Sequence, residues 1–188
     1  MTRIGFFGQI NPYKGLDVLL EAVSQIPKPL RPSLSVGIHG ANLDIQGGDF
    51  RARIVALLDA NADVVANKGR YANTDVVALM RQYDWIVVPS IWWENSPVVI
   101  QEALVAGRPI LCSAIGGMAE KVAGDEAGIT FQPGSAFDLA RTLVDIVEGR
   151  IVAPDMAAAY AVEAEAARVT QYVSVFATTL DARRALAE

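Results

Sequence analysis

The chain has 188 residues, 52% hydrophobic and 20% charged, with a formal net charge of −5 and one cysteine. That length suits one domain with a full core, and the acidic balance without a basic stripe argues against nucleic acid or an anionic membrane face as partner. No apolar run approaches the roughly 18 residues of a membrane span, residues 1–5 do not resemble a signal peptide, and a single cysteine excludes an internal disulfide framework and a cysteine-based zinc site. A cytoplasmic setting fits this balance.

Residues 3–8 read as a first, fully buried strand, and residues 9–13 as a loop. Lys14-Gly15 opens a helix whose Leu16, Val18, Leu19, Leu20, Ala22 and Val23 recur at helical spacing. Pro27, Pro29 and Pro32 forbid helix and mark a crossover loop. Residues 34–40 form a second strand, 49–60 a helix and 63–67 a short third strand. Thr74 is placed to cap a helix running to about residue 82. Residues 85–88 are a fourth strand, stopped by Pro89. Ser96-Pro97 reads as an N-cap followed by proline at the first helical position, and Gly107 ends that helix. A strand at 109–113, a glycine turn at Gly116-Gly117, a short helix and a last strand at 128–131 follow. Ser135 caps a helix to about residue 148, and an Ala-rich helical tail over 155–188 belongs to the same domain.

Strands alternate with helices about six times. The fold class is therefore α/β, a Rossmann-like parallel sheet of about six strands with helices on both faces. Such sheets bind ligands at the carboxyl ends of their strands, so the loops after the strands carry the chemistry.

The loop over 89–97 is the richest. It delivers a helix N-terminus, where free N–H groups and the positive end of the helix dipole suit a phosphate or a sugar hydroxyl. Glu94 precedes that helix and Glu102 lies inside it, with seven residues between them. Ionised carboxylates only accept hydrogen bonds, so the pair welcomes hydroxyls at two portions of one elongated ligand. Two solvated helix-face glutamates are the alternative. Lys14 is a cation at a helix start, where the dipole disfavours it unless an anion is nearby; a solvated charge is the alternative. Gly116-Gly117 lets backbone N–H groups approach a ligand, or simply serves a tight turn. Trp92 and Trp93 wall a pocket, touch another lobe or plug the loop locally. His39, the single histidine, reads as a satisfied strand-end residue, and Cys112 as a buried inert thiol.

The combination Pro89-Ser90, Glu94, Glu102-Ala103, Gly107-x-Pro109 and Gly116-Gly117-x-x-Glu120 resembles the retaining family-4 glycosyltransferases of the GT-B fold. The likeness runs from residue 5 to about residue 173 and covers the C-terminal, donor-binding half of such an enzyme. It implies catalytic roles for Glu94, at the donor sugar, and Lys14, at the diphosphate. It implies that Glu102 holds the ribose and that Asn95, Ser96, Pro97, Gly116 and Gly117 frame the phosphates and sugar. The loop carrying Tyr71 then packs against the base. The family's first loop pairs that lysine with an arginine, and here Gln9 stands in the arginine's place. Glutamine donates a hydrogen bond but brings no charge.

The activity implied is retaining transfer of a sugar from a nucleoside-diphosphate donor, a UDP- or GDP-sugar, to a glycan, lipid or small-molecule acceptor. No metal and no cofactor is implied. The expected partners are the donor and an N-terminal acceptor-binding domain that this chain lacks, so membrane association arises only through that other half, at an inner membrane face. The isolated chain is then a fragment that binds nucleotide and turns over little. The alternative is a degenerate nucleotide-sugar-binding or assembly module without activity. A dehydrogenase cofactor domain is disfavoured because the first loop lacks Gly-x-Gly-x-x-Gly.

Overall fold

A computed structural model describes residues 1–94, 97–124 and 127–156. Most of the tail expected over 155–188 lies outside the described residues.

The apolar runs form six parallel strands: β1 (Thr2–Gln9), β2 (Leu34–Ala41), β3 (Val65–Gly69), β4 (Trp85–Val88), β5 (Ile110–Ser113) and β6 (Gly128–Phe131). Between and after them lie α1 (Leu16–Ser24), α2 (Gly48–Ala60), α3 (Val76–Met80), α4 (Val98–Val105), α5 (Gly116–Gly124) and α6 (Ala136–Val147). The sheet order is β3-β2-β1-β4-β5-β6, the doubly wound arrangement that the alternation implies.

Side chains alternate across each strand, so a parallel sheet covered on both sides has two cores. Ile4 and Phe6 of β1 and Trp85 and Val87 of β4 point to the layer holding α1, α2 and α6. Phe7, Ile86 and Val88 point to the other layer, with α3, α4 and α5. Each layer anchors its helices through residues such as Leu19 and Leu143 on one side and Ile100 and Met118 on the other, all fully buried.

Several boundaries differ from the sequence expectation for physical reasons. The third strand starts at Val65, not residue 63, because Asn61 closes α2 by accepting from Val64 and Val65 N–H (3.0 and 2.9 Å). Asp63 is drawn outward to Arg31. The proline-rich crossover holds a short 3-10 turn at Arg31–Ser33, where Pro32 needs no N–H partner. Thr74 is not a cap: it sits inside a 3-10 turn, Asn73–Asp75, and its hydroxyl meets the Asp75 carboxylate at 3.2 Å. Pro97 occupies the N-cap position of α4 rather than the first helical one, with its carbonyl accepting from Ile100 N–H at 3.0 Å. Gly107, at φ 65, ends that helix as expected. Gly116 and Gly117 belong to the first turn of α5 itself.

Candidate functional site

The strand order reverses between β1 and β4, and their following loops meet at that point. The β1 loop is folded by Asn11, whose side-chain oxygen accepts from the N–H groups of Tyr13 (3.0 Å) and Lys14 (3.2 Å). Gly15 then adopts φ 67 at the N-cap position of α1. A Cβ there would stand 1.9 Å from the Pro89 carbonyl oxygen, so only glycine lets the two loops touch. Two hydrogen bonds stitch them further. Ile91 N–H and the Ser90 hydroxyl both donate to the Tyr13 carbonyl, at 2.9 and 3.0 Å.

This stitching brings Lys14 to Glu94. The ammonium stands 2.9 Å from both carboxylate oxygens, in a half-buried setting. The β5–α5 turn completes the group. Gly116, at φ 55, lies under Trp93: a Cβ there would come within 2.9 Å of the Trp93 ring and 3.5 Å of the Glu94 carbonyl oxygen. Trp92 stands edge-on to Tyr13, ring centroids 5.2 Å apart. Lys14, Glu94 and Gly116 thus converge from three loops. Pro97 is buried at the start of α4, and Gln9 ends β1, exposed and without a side-chain partner among the described residues. Gly117 follows Gly116 into the helix. Asn95 and Ser96 lie outside the described residues.

Glu102 stands apart from this trio, on α4, half-buried. Burial lifts its carboxyl above the ordinary glutamate value. Burial, and after it the Glu102 charge, raises the Tyr71 phenol. Tyr71 in turn leans edge-on against Phe7 of β1, centroids 5.6 Å apart. Glu94 reaches the loop after β1, and Glu102 lies within α4, the helix that follows the β4 loop.

His39 is satisfied, as its place at the strand end suggested. Its Nε2 meets the Tyr83 hydroxyl at 2.7 Å and its ring stacks on Phe7 at 4.5 Å. Burial, then the Lys68 charge, lowers its pKa. Among the described residues no group of three or more His, Cys, Asp or Glu side chains could hold a metal ion. A concavity of about 770 Å³ lies at the opposite rim of the sheet. Its guanidinium, Arg31, is committed to Asp63 (2.7 and 2.5 Å) and to the Val23 carbonyl (2.8 Å). Sequence reading missed Asn11 and Tyr13 as organisers of this junction. The Asn11-Pro12 pair, a turn-initiating dipeptide, was the signal available.

Comparisons with known proteins agree with this fold. Residues 2–164 match the family described as Glycosyl transferases group 1. A D-inositol 3-phosphate glycosyltransferase from Corynebacterium aurimucosum is 27% identical over 150 residues, covering 77% of this chain and 34% of the relative. Anabaena HepE, solved in complex with UDP and also with UDP and glucose, superposes with a TM-score of 0.75 at 24% identity in the UDP complex, covering 96% of this chain and 48% of that one. The C-terminal domain of a glycosyl transferase group 1 family protein from Francisella tularensis has a TM-score of 0.65 at 22% identity, covering 78% and 75%. The chain thus spans about a third of the curated relative and half of the HepE chain. A six-stranded doubly wound sheet, loops meeting at its reversal point and a family match across most of the length lead to one conclusion: this chain belongs to the glycosyl transferases group 1 family.

Proposed function

We propose that the chain is the C-terminal, donor-binding half of a retaining family-4 glycosyltransferase and holds a nucleoside-diphosphate sugar across the carboxyl ends of β1 and β4. The meeting of Lys14 with Glu94 at the sheet's reversal point carries this reading, because it sets a cation and a hydroxyl acceptor at one spot. The diphosphate lies between Lys14 and the N-termini of α4 and α5, near Ser96, Pro97, Gly116 and Gly117. The sugar meets Glu94 and Asn95. The ribose meets Glu102, and the base lies toward Tyr71. Charge developing on the leaving diphosphate is stabilised by these fixed groups, with no metal or cofactor in the transfer. UDP in a structural relative supports a nucleotide donor.

The acceptor half is a second lobe, consistent with coverage of about half of the HepE chain. Without it the chain binds nucleotide and transfers little, since the acceptor is not positioned. Among the described residues no helix is long and apolar enough to cross a membrane; we place the domain in the cytoplasm, reaching an inner membrane face only through its other half. Gln9 favours a second reading, a degenerate binding module, because it leaves the end of β1 without the family's second cation.

Calorimetry with UDP, GDP and ADP tests the site. Glu102→Ala is expected to weaken the best-bound of them about tenfold, the loss of charge-assisted bonds to a diol. Equal affinity for wild type and variant overturns the ribose assignment.

A further inference from the structure

The Lys14 ammonium has three N–H donors, and the Glu94 carboxylate engages it with both oxygens at 2.9 Å. Neither charge has another side-chain partner among the described residues. Side-chain exposure is 33% for Lys14 and 18% for Glu94, so water screens the pair only in part. A diphosphate entering this site therefore meets a neutralised cation with a carboxylate beside it that repels the anion. Lys14 is fixed by the Asn11 turn and the bonds to the Tyr13 carbonyl. The Glu94 backbone lies close over Gly116, where a Cβ would come within 3.5 Å of its carbonyl oxygen. When the pair opens, something must replace the bonds that Glu94 loses.

Building on the donor-site reading above, we propose that Glu94 is a mask on Lys14 that sugar hydroxyls lift. A hydroxyl-bearing ligand donates to the Glu94 carboxylate and so compensates it for the ammonium, which turns to the phosphates. A bare nucleoside diphosphate, whose ribose hydroxyls lie toward Glu102 in that reading, brings no hydroxyl to Glu94 and must separate the ion pair unaided. Glu94 thereby makes the site prefer the intact donor over the diphosphate left after transfer, and it speeds product departure. Its role is specificity through Lys14, in addition to any direct contact with the sugar.

The test compares wild type, Glu94→Gln, Lys14→Gln and the double variant by calorimetry, with UDP, GDP and ADP and then with UDP-glucose and GDP-mannose. Thermal unfolding checks each variant's fold, and Glu94→Ala replaces Glu94→Gln if the latter does not fold. Glu94→Gln is expected to bind the nucleoside diphosphate roughly fivefold tighter than wild type, the size of a partly screened ion pair. In the Lys14→Gln background the gain should vanish, and the preference for nucleotide sugar over nucleotide should shrink in Glu94→Gln. Unchanged or weaker diphosphate binding by Glu94→Gln, with wild type binding normally, overturns the mask and leaves the donor site standing. No binding of any probe by wild type or variants overturns the donor site and the mask together.

Discussion

At the scale of single residues, the site exists because one side chain is missing. Gly15 lets α1 begin against the Pro89 carbonyl, and with it the β1 loop settles where Lys14 can reach Glu94. Adding a methyl group there forces a 1.9 Å approach to a backbone oxygen at a left-handed φ of 67. Gly15→Ala is therefore expected to destabilise the fold by about 2–4 kcal/mol, read as a lower urea midpoint at unchanged slope. The same substitution should weaken nucleotide binding, since the loops must part. The placement of most candidate residues was legible in the sequence: Lys14 and Glu94 stand in loops and Glu102 inside a helix as the pattern implied, whereas Gly116 and Gly117 belong to α5 itself. Their mutual contacts were not legible. Lys14 and Glu94 are 80 positions apart, and no local rule relates them. Only the adjacency of β1 and β4 brings them together, and that is a property of the sheet.

At the scale of elements, helix starts divide the legible from the illegible. Ser135 was recognisable as a cap, and its hydroxyl oxygen does accept from Asp138 N–H at 3.1 Å. Asp138 completes the turn by accepting from Gln132 N–H at 2.8 Å. Ser135→Ala is expected to cost about 1 kcal/mol, measured by chemical denaturation, without altering ligand binding. Thr74 carried the same local signal and misled, because the chain tightens there into a 3-10 turn before α3 begins. A cap residue reports that a helix is near but not the turn geometry that precedes it. The start of α4 shows the opposite case: Pro97 fixes the entry with its carbonyl and its own rigid φ of −64, and no side-chain cap is made there. The third strand slid by two residues because Asn61 and Asp63 have stronger commitments than the ladder, to the end of α2 and to Arg31.

At the scale of the molecule, the doubly wound order followed from the alternation of strands and helices and from the handedness of parallel crossovers. An unusual apolar content had a visible consequence too. Trp92 and Trp93 are 60% and 71% exposed beside the site, with Tyr13 and Val98 also uncovered. This rim is where the proposed second lobe would close over the donor. A ligand that binds only the folded chain raises its stability by about 2.7 kcal/mol at a hundred times its dissociation constant. Nucleotide at that excess is therefore expected to raise the melting temperature by about 5–10 °C, seen by calorimetric or fluorescence melting. No shift with any nucleoside diphosphate would leave the site without its ligand. Cys112 offers an independent gauge of the same equilibrium. It is the chain's one thiol, sits fully enclosed in β5, and is pushed up by burial to about 12. Alkylating reagents should therefore modify it only when β5 leaves the sheet. Its labelling rate then counts rare openings of the sheet's interior, with no engineered probe and under conditions that favour the intact protein.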